Sequence, residues 1–136
     1  MNGATFKADG FEVNGNTAWA SFASAYPETA GVRNVKRAVE VTEKGVSVSE
    51  EFEFINGNNK IEEHFMTLLK PEITDNGVIL GGKYLLKTDL LKSIEYKSFD
   101  GDQKLINAWD CNGVYRIIVS AECQKSAFFE FHIRRI

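Results

Sequence analysis

The chain has 136 residues, of which 43% are hydrophobic and 26% charged, and its formal net charge at neutral pH is −3. That length fits one domain burying about two thirds of the surface its unfolded form exposes. The composition excludes a disordered tail or a coiled coil, the small net acidity argues against a nucleic-acid partner, and no apolar run approaches the ~20 residues of a membrane helix.

The opening residues, MNGATFKADG, lack a basic stretch followed by an apolar one, so no signal peptide is expected and Met1 reads as a cytosolic start or a cut within something longer. Turn signals then recur: Asn14-Gly15-Asn16, Glu43-Lys44-Gly45, Asn56-Gly57-Asn58, Asp75-Asn76-Gly77, Gly81-Gly82, Asp100-Gly101-Asp102 and Asn112-Gly113. Gly and Asn supply the positive-φ positions that tight turns need. The runs between them are rich in β-branched and aromatic residues. In chain order the expected strands are Thr5–Lys7, Thr17–Ala25, Val35–Thr42, Val46–Phe54, Lys60–Leu69, Gly77–Leu80, Lys83–Lys87, Ile94–Phe99, Lys104–Trp109, Gly113–Ala121 and Ala127–Arg135. Short strands with turns every ~8 to 12 residues predict an all-β fold, an antiparallel β-sandwich of about ten to twelve strands in one domain.

The clearest hairpin joins Val35–Thr42 to Val46–Phe54. Alternation places Val35, Arg37, Val39 and Val41 on one face, and Val46, Val48, Glu50, Phe52 and Phe54 on the matching face. A four-residue loop from Thr42 to Gly45 pairs Val41 with Val46, Val39 with Val48 and Val35 with Phe52. The same register sets Arg37 opposite Glu50. Two charges on otherwise apolar faces are tolerable only if they meet, so a partly buried Arg37–Glu50 ion pair is expected.

Two segments carry a competing helical pattern. Asn59 to Pro71 has a capping Asn, early glutamates and Ile61, Phe65, Leu68 and Leu69 at helical spacing, but its hairpin neighbours favour a strand. Thr88–Ser93 carries a fainter signal. Cys111 and Cys123 flank one expected strand that rises ~3.3 Å per residue, too far apart for a bridge, and both are expected as free thiols.

The chain is rich in packing material and poor in catalytic material, with ten Phe and only two His. Each His follows a Glu by two residues, giving same-face pairs Glu62–His64 and Glu130–His132 on strands. Zinc needs three or four converging ligands, and the spacing does not require the pairs to converge, so solvated pairs are expected and no metal or cofactor. No nucleophile elbow or phosphate loop marks a catalytic Ser, Cys or Lys. Tyr26, in the loop Tyr26-Pro27-Glu28-Thr29-Ala30-Gly31-Val32-Arg33, lies near Arg33, Lys36 and Arg37. Such a loop either contacts an anionic sugar through Arg forks or is anchored by Tyr26 packing. Trp19, flanked by Ala18 and Ala20, is expected in the core, whereas Trp109 precedes a turn and is the better exposed sugar-stacking candidate. The substrate-contact candidates are therefore Tyr26, Arg33 and Trp109. The end, Ile133-Arg134-Arg135-Ile136, reads as a solvated strand end rather than a polyanion patch.

The runs Phe22-Ala23-Ser24-Ala25-Tyr26-Pro27, Val35-Lys36-Arg37-Ala38-Val39 and Val46-Ser47-Val48-Ser49-Glu50-Glu51-Phe52 resemble the C-terminal β-sheet region of heparinase II/III-like polysaccharide lyases. There a Tyr-containing loop leads into an R-x-V strand and then a V-x-V-x-D-x-F strand. Ile61 to Thr67 and Val114 to Ile117 fit the same region, so the resemblance runs from about Thr5 to the end. Glu50 stands where the family pattern has Asp, which keeps the charge opposite Arg37. The resemblance implies a fragment of a larger, secreted or periplasmic lyase that eliminates across uronic acids. The base and the metal-site motif of that family lie upstream, so no catalytic residue is carried over. The implied role is a non-catalytic support for an upstream catalytic domain, with an anionic polysaccharide as a further partner. A free-standing carbohydrate-binding module, or a small barrel enzyme or carrier with a pocket around His64 or His132, is the alternative.

Overall fold

The computed structural model describes residues 7–88 and 93–136. Among these residues lie eleven strands, β1(Gly10–Asn14), β2(Thr17–Ser21), β3(Val32–Thr42), β4(Gly45–Phe54), β5(Asn59–Thr67), β6(Pro71–Thr74), β7(Gly77–Leu80), β8(Tyr84–Thr88), β9(Ser93–Ser98), β10(Tyr115–Cys123) and β11(Ser126–Arg135), with one helix, α1(Gln103–Trp109). Short 3-10 turns at Ala23–Ala25 and Glu28–Ala30 lie between β2 and β3.

All pairings are antiparallel. The large sheet runs β1-β2-β3-β4-β11-β8-β7-β6 and the small one β5-β10-β9. Together they form the expected all-β sandwich. The hairpin of β3 and β4 has the register that alternation predicts: Val41 opposite Val46, Val39 opposite Val48, Arg37 opposite Glu50 and Val35 opposite Phe52. The Lys60–Leu69 segment is strand β5, because its inward residues Ile61 and Phe65 complete the core.

The core lies between the sheets. The large sheet contributes Val35, Phe52, Phe54, Val78, Leu86, Phe129 and Phe131, and the small sheet Ile61, Ile117 and Val119. Phe65 meets Phe131 edge-on across the sandwich with centroids 4.8 Å apart, and Phe52 stacks on Phe129 at 5.8 Å. Offset and edge-on rings add about 0.5–1.5 kcal/mol each beyond their buried area.

Several boundaries differ from expectation, each for a physical reason. Lys104–Trp109 is helix α1, not a strand. Asp102 caps it by accepting the Leu105 N–H at 3.1 Å, and Asp110 closes it at φ 48°. Thr17–Ala25 splits, since β2 ends at Ser21 and Ser24 turns back to bond Asp9 through its N–H and hydroxyl. Two strands carry no clear signal in the sequence. Gly10–Asn14 pairs with β2 as the edge strand of the large sheet. Pro71, which reads as a stop, opens edge strand β6, where a proline is tolerated because its missing N–H faces away from the ladder. The strand expected at Thr5–Lys7 and the helical signal at Thr88–Ser93 fall largely outside the described residues. Cys111 and Cys123 are free thiols, and the Cys111 thiol donates to the Gly113 carbonyl at 3.3 Å. Among the described residues no helix is long and apolar enough to cross a membrane.

The smaller sheet does not cover the whole of the larger one. Its edge strand β5 reaches Arg37 of β3 through Glu63, while β9 at its other edge lies against β6. The inner face of β1 and β2 therefore extends past β5. Register puts Phe11 and Val13 of β1, Ala18 and Ala20 of β2, and Val39 and Val41 of β3 on this face. Phe11 is 71% exposed there and Val41 55%.

Candidate functional site

The uncovered face forms an apolar trough of about 360 Å³, lined by Phe11, Ala18, Ala20, Phe22 and Val39, with Arg37 beside them. Arg37 is where open face meets closed core. Its neighbour on the same face of β3, Val35, is fully buried. The guanidinium spreads over the Phe22 ring at 5.6 Å, its Nε donates to Glu50, and its Nη2 donates to Glu63 at 3.1 Å. One cation thus holds carboxylates from β4 and β5 and ties the two sheets together.

The second oxygen of Glu50 is buried and receives no donor from a group that always carries a proton. Glu63 supplies the explanation. Burial, followed by its hydrogen bond to Glu50 and the Glu50 charge, raises the Glu63 pKa from 4.5 to about 9, against the opposing pull of Arg37. Two carboxylates this close cannot both ionise in a poorly solvated site. At neutral pH Glu63 is therefore held as the acid beside Glu50, which is 1% exposed. Burial alone would weaken the hold of Arg37 on its proton, but the hydrogen bond and charge of Glu50 outweigh it and raise its pKa. Cluster and proton together are neutral, which is why it survives burial.

Tyr26 stands at the rim. Its ring stacks on Phe22 at 6.3 Å, and burial, then the nearby Glu63 and Glu50 charges, raise its phenol pKa. The phenol is a neutral donor and acceptor at the mouth of the trough. The site thus offers an apolar floor, a compensated guanidinium and a carboxylic acid proton.

The remaining sequence candidates lie apart from it. Arg33 sits at a bulge in β3 and pairs with Glu53 at 3.6 Å, both well exposed. Trp109 ends α1, between β9 and β10, and is 41% exposed. Lys36 points to the opposite face of β3 from Arg37, where its ammonium lies 4.6 Å from the centre of the Trp19 ring. Trp19 is therefore not a core residue: it is half-buried on the outer face, and its Nε1 donates to Glu12 at 3.1 Å. The two Glu–His pairs form, Glu62 with His64 at 3.2 Å and Glu130 with His132 at 3.4 Å. They stand on different sheets and do not converge. Hydrogen bonds from Lys60 and then His64 hold the Glu62 carboxyl below its usual range. Sequence reasoning missed Glu63, whose only signal was its inward position in the alternation of β5, two residues from Ile61 and Phe65.

No family model matches the sequence, and no curated protein matches it. Among solved structures, heparinase III superposes with a TM-score of 0.58 at 18% identity, over 96% of this chain and 21% of that one. A 4-alpha-glucanotransferase from Thermococcus litoralis superposes with a TM-score of 0.44 at 13% identity, over 93% of this chain and 22% of that one. The chain thus spans about a fifth of the length of either protein. The likeness to heparinase III is one of fold: this chain folds as a β-sandwich of the kind found in that enzyme.

Proposed function

We propose that the chain is the non-catalytic β-sandwich of a heparinase II/III-like polysaccharide lyase. In this reading it supports a catalytic domain that eliminates across a uronate-containing polysaccharide. One observation carries it: nearly the whole chain superposes on a fifth of heparinase III. The sequence resemblance, carried by the runs Phe22–Pro27, Val35–Val39 and Val46–Phe52, names the same family. In this reading the trough beside Arg37, with Phe11 71% exposed at its floor, is the surface on which the catalytic domain rests.

The test is eliminative cleavage of heparin-like and other uronate polymers, followed by ultraviolet absorbance of the unsaturated product. This chain alone is expected to be inactive, and the longer protein containing it active. In that longer protein, Val39→Asp in the trough is expected to lower activity or domain association. Cleavage by the isolated chain, or a natural protein no longer than this chain, overturns the reading.

A further inference from the structure

A second cavity lies at the opposite edge of the sandwich from Arg37. The edge strand of the large sheet, β6, and the edge strand of the small sheet, β9, approach each other there. Between them opens a cleft of about 490 Å³, bordered by Lys70, Pro71, Glu72, Ile73, the Gly81-Gly82 turn and Tyr96. That volume falls within the range of small-ligand sites, about 300–1,000 Å³.

The walls are unlike each other, which narrows the ligand class. Tyr96 pairs with Ile117 across β9 and β10, so its side chain belongs to the inner face, yet at the sheet edge the ring stays 39% exposed. Tyr115 meets it edge-on at 6.2 Å and braces it. Ile73 of β6, 44% exposed, is the apolar residue of the other wall. Gly81 and Gly82 both have positive φ, 56° and 67°, and a Cβ added to Gly82 would meet nothing within 4 Å. The turn therefore leaves the cleft mouth free of side chains. Lys70 and Glu72, of opposite sign and both exposed, border the same space.

A purely anionic ligand would not be placed beside Glu72, and a lipid would not be placed in so open and polar a cleft. A hydroxylated ring fits both features. Its axial C–H face packs on an aromatic ring, and its hydroxyls act as donor and acceptor at once toward Lys, Glu and the free backbone groups of an edge strand. We infer that the cleft between β6 and β9 is a saccharide-binding site in which one pyranose ring stacks on Tyr96. This inference stands apart from the lyase reading, since it requires neither a catalytic domain nor the Arg37 trough.

The test is saturation-transfer NMR on the intact chain, with neutral oligosaccharides and a uronate-containing one as probes, and titration calorimetry for the affinity. Transfer to pyranose C–H protons is expected at millimolar ligand. Tyr96→Ala should weaken binding about tenfold or more, and Tyr96→Phe, which keeps the ring, should change it by less than about threefold. Gly82→Asn is the second variant. Asn accepts positive φ, and Gly82 borders the cleft with open space around an added Cβ, so the new side chain adds bulk there without disturbing the core. It should abolish binding even if Tyr96→Ala fails to fold. Phe11→Ala, in the floor of the Arg37 trough, should leave binding unchanged, which separates this site from the trough. No transfer to any saccharide, or undiminished binding in Gly82→Asn or a folded Tyr96→Ala, overturns the proposal. Capture of an extended peptide along β6 with no saccharide binding would also overturn it.

Discussion

The Arg37 guanidinium of β3 holds two carboxyl groups from opposite sheets, Glu50 of β4 and, at 3.1 Å, Glu63 of β5. This contact joins the sheets by charge where the aromatic core ends. It also makes the protonation of one side chain part of the sandwich's stability.

Stability should therefore depend on pH in a specific direction. Glu63 keeps its proton in the folded state to about pH 9, whereas its ordinary value is 4.5. Between those limits the folded chain binds the extra proton, so this group's stabilising contribution is complete below about 4.5, shrinks as pH rises and is lost above about 9. The slope is at most about 1.4 kcal/mol per pH unit for one proton. Glu63→Gln replaces the acid with an amide that donates to Glu50 and does not titrate. Urea unfolding from pH 5 to pH 9.5 should show the wild-type midpoint falling relative to the variant. Parallel curves for the two proteins would refute a shared proton.

Removing Arg37 alone should be severe. Arg37→Met leaves Glu50, 1% exposed, without its cation. Breaking a buried pair from one side costs about 3–5 kcal/mol, and the 44% exposure of Arg37 sets this pair at or below the lower end. Removing both charges, in Arg37→Met with Glu50→Leu, should recover most of that loss, because the apolar pair restores packing with no orphan charge. Urea midpoints of the single and double variants check this, and a double variant no better than the single would refute the dependence of Glu50 on Arg37.

Gly45 should tolerate no side chain. It starts β4 at φ 147°, and an added Cβ would overlap the Ile133 carbonyl of β11. Gly45→Ala should cost about 2–4 kcal/mol through strain and a disturbed β4–β11 ladder. Gly15 is the comparison: its φ is 60° but nothing lies near its Cβ. Gly15→Ala should cost only the left-handed penalty of about 1–2 kcal/mol. Thermal melts of both variants would separate the two effects.

Both cysteines should titrate as thiols. Cys111 and Cys123 are free, and burial raises the Cys123 thiol pKa. A thiol reagent added to the denatured chain without reductant should consume two equivalents. In the native chain Cys123 should react more slowly than an exposed cysteine at the same pH. Fewer than two equivalents from freshly purified protein would point to a bridge that this fold does not contain.

Some of this could be read directly from residue order. The β3–β4 hairpin is legible because its loop is short and its alternation strict, so a one-residue slip would turn every valine outward. The same rule sets Arg37 against Glu50, because cross-strand partners in a hairpin follow from loop length. The segment Lys104–Trp109 misleads for the opposite reason. Leu105, Asn107 and Trp109 satisfy a two-residue period as well as Leu105 and Trp109 satisfy a helical one, and the Asp102 cap decides between them.

Residue order by itself determined the class of fold, the faces of the long strands and the opposition of Arg37 to Glu50, all consequences of local spacing. Only the tertiary structure decided that Glu63 joins that pair, that Trp19 lies outside the core, and that Tyr96 faces Ile73 across a cleft. Glu63 reaches Arg37 from the other sheet, and the Tyr96 cleft forms where the edges of two sheets meet. The physical reason is the same in each case: alternation fixes the side of a strand a residue occupies, but which strand from the second sheet lies over it depends on how both sheets bury their common core.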